Sequence, residues 1–241
     1  MDFLSRRTVL AGLAAAVVGP SAAWAAPRSS GGNDGWRLAA DFEPTRAVWI
    51  GFDPGHLVFT ATLVRHLRPH VRVRLLVPDE GRIDEARAAL SGQGVSPEGL
   101  EFVADPNAGY FMRDLALFAS APGGANAVVD FVWTHYGLAS WCRRRHAPDA
   151  EAARACAAAA DGVQADHLAR SLAQRMGWPS LASDVALEGG GIEHNGRGLL
   201  LVSEPYLLHR NPGRSRESLE RSLLQLPGIR KVIWLSDGLA Q

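Results

Sequence analysis

Between Arg46 and Leu235 the chain alternates two hydrophobic patterns, short apolar runs of strand length and apolar residues recurring at helical spacing. "RAVWIGF" (46–52) is a strand-length run, and "HLVFTATLVRHL" (56–67) places its apolar residues on one helical face. "VRVRLLV" (71–77) alternates and is β-branched, so it predicts a strand, while "RIDEARAAL" (82–90) predicts a helix ended by Gly92. "LEFVA", "LALFA" and "AVVDFVW" predict three more strands up to Trp133, and the Ala-rich stretch 147–176 predicts helix. Asn195-Gly196 is the dipeptide suited to a type I′ hairpin turn. Ser215 is placed to cap a helix over 215–226, without the full capping box because Ser218 stands where Glu would complete it. "KVIWL" (231–235) predicts a last strand.

A helical stretch, a Pro or Gly, and a strand closed by an acid recur in "LRPHVRVRLLVPD", "GVSPEGLEFVAD" and "LPGIRKVIWLSD". These echoes hint at repeated β/α units. The predicted class is α/β or α+β, with mixed sheets because a hairpin interrupts the alternation.

The N-terminus changes the picture of where the chain works. Ser5-Arg6-Arg7-Thr8-Val9-Leu10, a mild apolar run and Ala23-Trp24-Ala25 form a basic start, a short apolar middle and a small-x-small end. That is the pattern of a signal peptide over 1–25, and the paired arginines suggest the twin-arginine route to the periplasm or exterior. The run is too short and too rich in Gly and Ala for a stable membrane span. Residues 26–35 are polar and glycine-rich, a flexible leader, so the folded domain is expected over 36–241. With 25 basic and 25 acidic side chains the net charge is zero, which gives no field for nucleic acid or anionic lipid. Cys142 and Cys156 are expected as a pair of inert thiols in an Ala-rich region, a single bridge in an exported compartment being the alternative.

Two acids carry the candidate chemistry. Glu188 precedes Gly189-Gly190-Gly191, a run with neither GxGxxG nor GKS/T spacing and followed by a hairpin, so it does not read as a phosphate cradle. A carboxylate on a glycine platform suits a flat cation, because glycine permits close backbone approach; a glycine-rich bulge with an exposed glutamate is the bland alternative. Arg113-Asp114 stands at the mouth of an apolar strand after two aromatics, where Asp114 could pair merely with its neighbour or help hold a guanidinium through charge-assisted hydrogen bonds. Cys142 lies beside three arginines that would favour a thiolate, yet an incidental thiol on a solvated face fits the same residues. The eight histidines show no metal-ligand spacing, and no metal or cofactor is expected.

Residues 187–239 resemble the agmatine deiminase and bacterial peptidyl-arginine deiminase family. The matching pieces are EGG, NG-x-G, L-L-x-R-N-P, an S-x-E-x-x-E helix and K-V-I-W-L-x-x-G-L in one order; "FMRD" and "VVDFVWTHYG" resemble its upstream segments. The resemblance implies a pentein-type α/β propeller of ββαβ units. It implies hydrolysis of a guanidinium to a ureido group and ammonia, as in agmatine to N-carbamoylputrescine for putrescine biosynthesis, with peptidyl-arginine as the alternative substrate. It makes Asp114 and Glu188 the catalytic carboxylates on the guanidinium, with Phe111, Gly189 and Gly190 in substrate binding. The chain departs from the family pattern at Gly109 and Phe111, where an acid and a tryptophan stand, and at Ala116 and Leu117, where Gly-Pro stands. The family's Gly-His-x-Asp motif and late nucleophilic cysteine have no counterpart in the 241 residues, so the expected domain is partial. A non-catalytic remnant that binds guanidinium compounds is the reading of another class.

Overall fold

The computed structural model describes residues 35–158 and 168–238. The expected signal peptide (1–25) and nearly all of the expected leader (26–35) lie outside the described residues. Strands β2 (Ala47–Gly51), β3 (Arg72–Val77) and β4 (Glu101–Ala104) form a parallel sheet in that order. Its crossovers are helices α1 (Leu57–Leu67) and α2 (Gly81–Gly92). Val73, Leu75 and Val77 pack with Ala61 and Val64 of α1 and Ala86 and Leu90 of α2. Leu76 points to the other face, into a separate cluster with Met112, Val128 and Leu172, so the end of β3, residues 75–77, is buried on both faces.

The second sheet has the order β1-β5-β6-β7. Here β1 (Arg37–Leu38) and β5 (Leu117–Ser120) are antiparallel, as are β5 and β6 (Asn126–Val132), and β7 (Ser180–Ala186) runs parallel to β6. Between β6 and β7 lie helices α4 (Leu138–Arg145), α5 (Ala150–Ala158) and α6 (Leu168–Met176). The third sheet repeats that plan. β8 (Ile192–His194) pairs antiparallel with β9 (Leu199–Ser203), and β10 (Lys231–Leu235) returns parallel to β9 after helices α7 (Glu204–Arg210) and α8 (Arg216–Leu223). One core joins the second and third sheets, with Leu117, Val129 and Leu187 against Ile192, Leu200, Val202, Leu219 and Leu223. The Leu219/Leu223 pair is the buried stripe of α8, and its N-cap is Ser215, whose hydroxyl accepts from the Ser218 amide.

Several expectations change in detail. The helical region expected over 147–176 falls into α5 and α6, with 159–167 outside the described residues, and α4 precedes it. Asn195-Gly196 opens a four-residue connection rather than a two-residue type I′ turn. The Asn195 side chain accepts from the amides of Arg197 and Leu199, and Gly196 and Gly198 carry the positive φ. Cys142 and Cys156 are not free thiols but a disulfide that joins α4 to α5. Closing a loop of this length stabilises a fold by about 3 kcal/mol in the chain-entropy account. Asp114 does not end a strand. It lies in the one-turn helix α3 (Met112–Leu115), too short to leave a periodic signature.

Candidate functional site

Three consecutive glycines turn the chain from β7 into β8 as a single 3-10 turn, Gly189–Gly191. A Cβ on Gly189 would stand 2.1 Å from the Arg113 carbonyl oxygen, on Gly190 2.5 Å from Asp114 Oδ1, and on Gly191 2.1 Å from the Tyr206 ring. All three are shorter than a carbon contact allows. At Gly189 the obstacle is backbone and at Gly191 a ring, so glycine at these two lets the turn lie against α3 and α7, while at Gly190 the obstacle is the end of the Asp114 side chain. The glycines therefore serve close approach.

That approach converts sequence-distant groups into a site. Asp114 Oδ1 accepts from the Gly190 amide at 2.8 Å, and Oδ2 accepts from the Tyr136 hydroxyl at 2.9 Å. Arg113 does not point away to an opposite face, as a strand would require. It donates from Nε to the Gly189 carbonyl at 3.1 Å and from Nη1 to Asp41.

Glu188 is 3% exposed, which leaves it dependent on protein partners. Arg210 Nε donates to Oε1 at 2.7 Å, and the Tyr206 hydroxyl donates to Oε2 while accepting from the Glu188 amide at 2.8 Å. The Arg210 guanidinium also lies over the Tyr206 ring, 5.0 Å from its centroid. Burial, then the neighbouring Glu188, pushes the Tyr206 hydroxyl above the ordinary phenol range. Burial, then Asp114, does the same to Tyr136, which also feels Glu188. Both phenols therefore remain proton donors to their carboxylates at neutral pH.

Asp114 also lines a narrow cavity with Leu115, Asp130, Phe131, Trp133 and Leu187. Its volume is about 10 Å³, room for one water. Asp130 is a third acid here, and Arg170 of α6 neutralises it at 2.9 Å. The register between β6 and β7 shifts next to it, from Asp130 opposite Ala182 to Val132 opposite Ala186, an irregularity of the kind that re-aims side chains beside functional sites. Phe111 is 61% exposed and rests edge-on against Tyr110, 5.1 Å between centroids. The aromatics that touch the two acids are Tyr136 and Tyr206. Sequence reasoning missed both, with Arg210 and Asp130; Tyr206 and Arg210 share a face of α7 at i,i+4 spacing, a signal that was available.

A sequence model of the Porphyromonas-type peptidyl-arginine deiminases matches residues 37–241. The chain belongs to that family. Among curated relatives, a Streptomyces avermitilis protein with "agmatine deiminase" in its name is 28% identical over 221 residues, covering 86% of this chain and 57% of that protein. Among solved structures, the agmatine deiminase of Enterococcus faecalis superposes with a TM-score of 0.67 at 23% identity, covering 88% of this chain and 57% of its own. A substrate-bound agmatine deiminase of C. jejuni gives 0.61 at 16% identity, covering 85% of this chain and 57% of its own. The chain thus spans little more than half the length of these relatives. Its hairpin-plus-crossover modules are those of the pentein-type α/β propeller.

The glycine contacts generate an ordered prediction. Gly189→Ala drives its methyl into backbone and lowers unfolding free energy by about 1–3 kcal/mol. Gly190→Ala presses only on the Asp114 side chain and costs less. Urea denaturation of the two variants checks the order, and equal or reversed losses would contradict the contact geometry.

Proposed function

We propose that this chain forms the guanidinium-binding part of an agmatine deiminase-type site. The observation that carries this reading is the charge left over where Asp114 and the Glu188 turn meet. Glu188 is balanced by Arg210 and Asp130 by Arg170, whereas among the described residues no cation pairs with Asp114. One uncompensated carboxylate, joined through the Gly190 amide to the turn that carries Glu188, fits one planar cation.

In the reaction of the family's agmatine deiminases, water replaces one nitrogen of the guanidinium, giving a ureido group and ammonia. In this chain Asp114 would hold the charge and Glu188 would fix the plane, by charge-assisted hydrogen bonds to separate nitrogens. The covalent route that the family resemblance implies needs a thiolate. Both cysteines of this sequence are in one disulfide, so neither supplies it.

The chain should therefore bind agmatine in titration calorimetry without releasing ammonia, and Asp114→Asn should weaken binding by at least about thirtyfold. Absence of agmatine binding, or an unchanged affinity in Asp114→Asn, would refute the reading. Peptidyl-arginine is the second reading, favoured by the family whose model matches; tighter binding of an arginine peptide than of agmatine in the same titration would select it.

We propose that the chain works outside the cytoplasm, a reading the bridge supports. Disulfides persist in oxidising surroundings, which supports export directed by Arg6 and Arg7. Replacing both with Lys should retain the precursor in the cytoplasm, since the twin-arginine receptor reads that pair. Continued export would assign the general secretory route.

A further inference from the structure

The segment from Trp133 to Ala158 belongs to neither sheet-forming module, yet it touches both halves of the site. It leaves β6, turns through three consecutive left-handed residues, His135 (φ 47), Tyr136 (φ 58) and Gly137 (φ 73), and continues into α4 and α5. Two non-glycine residues in succession at positive φ are costly, and such strain persists only where the surroundings over-determine it.

The surroundings are specific. Trp133 packs edge-on against Tyr136 at 4.9 Å and donates from Nε1 to His135 Nδ1 at 3.2 Å. The strained turn delivers the Tyr136 hydroxyl to Asp114 Oδ2 at 2.9 Å. On the other side, Gly137 lies so close to α7 that a Cβ there would stand 2.7 Å from His209 Cε1 and 2.9 Å from Arg210 Nη1.

From α4, Arg144 Nη2 reaches His209 Nε2 at 2.6 Å, while Arg210 Nη1 lies 2.8 Å from His209 Nδ1. A neutral imidazole accepts at only one nitrogen, so His209 is wedged between two guanidiniums rather than satisfied by both. Arg210 is the partner of Glu188. The segment thus reaches Asp114 through Tyr136 and Glu188 through His209 and Arg210. The Cys142–Cys156 bridge fastens its two helices together, with Cys142 fully buried.

We propose that this disulfide-stapled hairpin is the positioning element of the site, with Tyr136 orienting Asp114 and the bridge holding Tyr136 and Arg144 in place. The proposal deepens the guanidinium reading and rests on it for the identity of the ligand. Tyr136, Arg144 and the bridge are positioning groups; the carboxylates are the groups that meet the cation.

The test uses a readout that needs no ligand. The Gly190 amide donates to Asp114 Oδ1, so its hydrogen-exchange rate, measured by NMR relative to the Val202 amide in β9, reports how firmly Asp114 is held. Tyr136→Phe and the double variant Cys142→Ala/Cys156→Ala should each speed Gly190 exchange about tenfold relative to Val202. Each should weaken agmatine binding by about the same factor, the scale of one hydrogen bond to a charged group. In the bridge-less background Tyr136→Phe should add almost nothing, because both changes release the same contact.

Wild-type relative exchange in Tyr136→Phe would overturn the proposal, as would losses that multiply to about a hundredfold. Tyr136→Phe keeps the bridge, so it decides the matter even if the bridge-less variant fails to fold. If Gly190 responds as stated while the unaltered protein binds no agmatine, the positioning role stands and the guanidinium reading falls.

Discussion

The absence of three Cβ atoms is the constraint on which the site depends. Gly189, Gly190 and Gly191 lie within 2.1–2.5 Å, measured from a would-be Cβ, of the Arg113 backbone, the Asp114 carboxylate and the Tyr206 ring. That proximity docks the turn between β7 and β8 against α3 on one side and α7 on the other. With it, the Gly190 amide reaches Asp114, the Arg113 guanidinium reaches the Gly189 carbonyl, and the Tyr206 hydroxyl reaches Glu188. A methyl group on Gly189 would push the turn off the Arg113 backbone, 76 residues away in sequence.

The two carboxylates held this way are chemically unequal. Glu188 is buried and sits in an internal ion pair with Arg210, an arrangement that orients the carboxylate without leaving net charge. Among the described residues Asp114 has only neutral donors, an amide and a phenol, and so carries the net charge of the site. Under the proposed guanidinium reading, an orienting acid near a charged acid suits a cation that is both planar and singly charged. It also explains the tyrosine on each acid, since a phenol adds a directed hydrogen bond without cancelling charge.

Much of this was legible in the sequence, for physical reasons. Strands β2, β3, β4, β6 and β10 announce themselves because short runs rich in apolar and β-branched residues suit a partly buried pleated surface, and α1 and α8 because half-buried helices must repeat near 3.6 residues. Glu188 and its glycines stood out because three glycines after a strand need a reason. What was illegible depends on contacts far apart in the chain. Tyr136 reaches Asp114 from a left-handed turn that includes Tyr136 itself, a bulky type that gives no warning of positive φ. Met112–Leu115 is one helical turn amid apolar residues and reads as strand. Cys142 and Cys156 read as inert thiols because nothing local to either marks the pairing; the partners lie 14 residues apart on two helices.

A crystal structure of the protein with agmatine bound tests the central claim most directly. The account predicts one guanidinium against residues 188–190, its nitrogens on the order of 2.8 Å from an Asp114 oxygen and from a free lone pair of Glu188, with the Glu188–Arg210 pair intact. Agmatine seated elsewhere on the chain, or a guanidinium that displaces Arg210 from Glu188 and leaves Asp114 untouched, would contradict it.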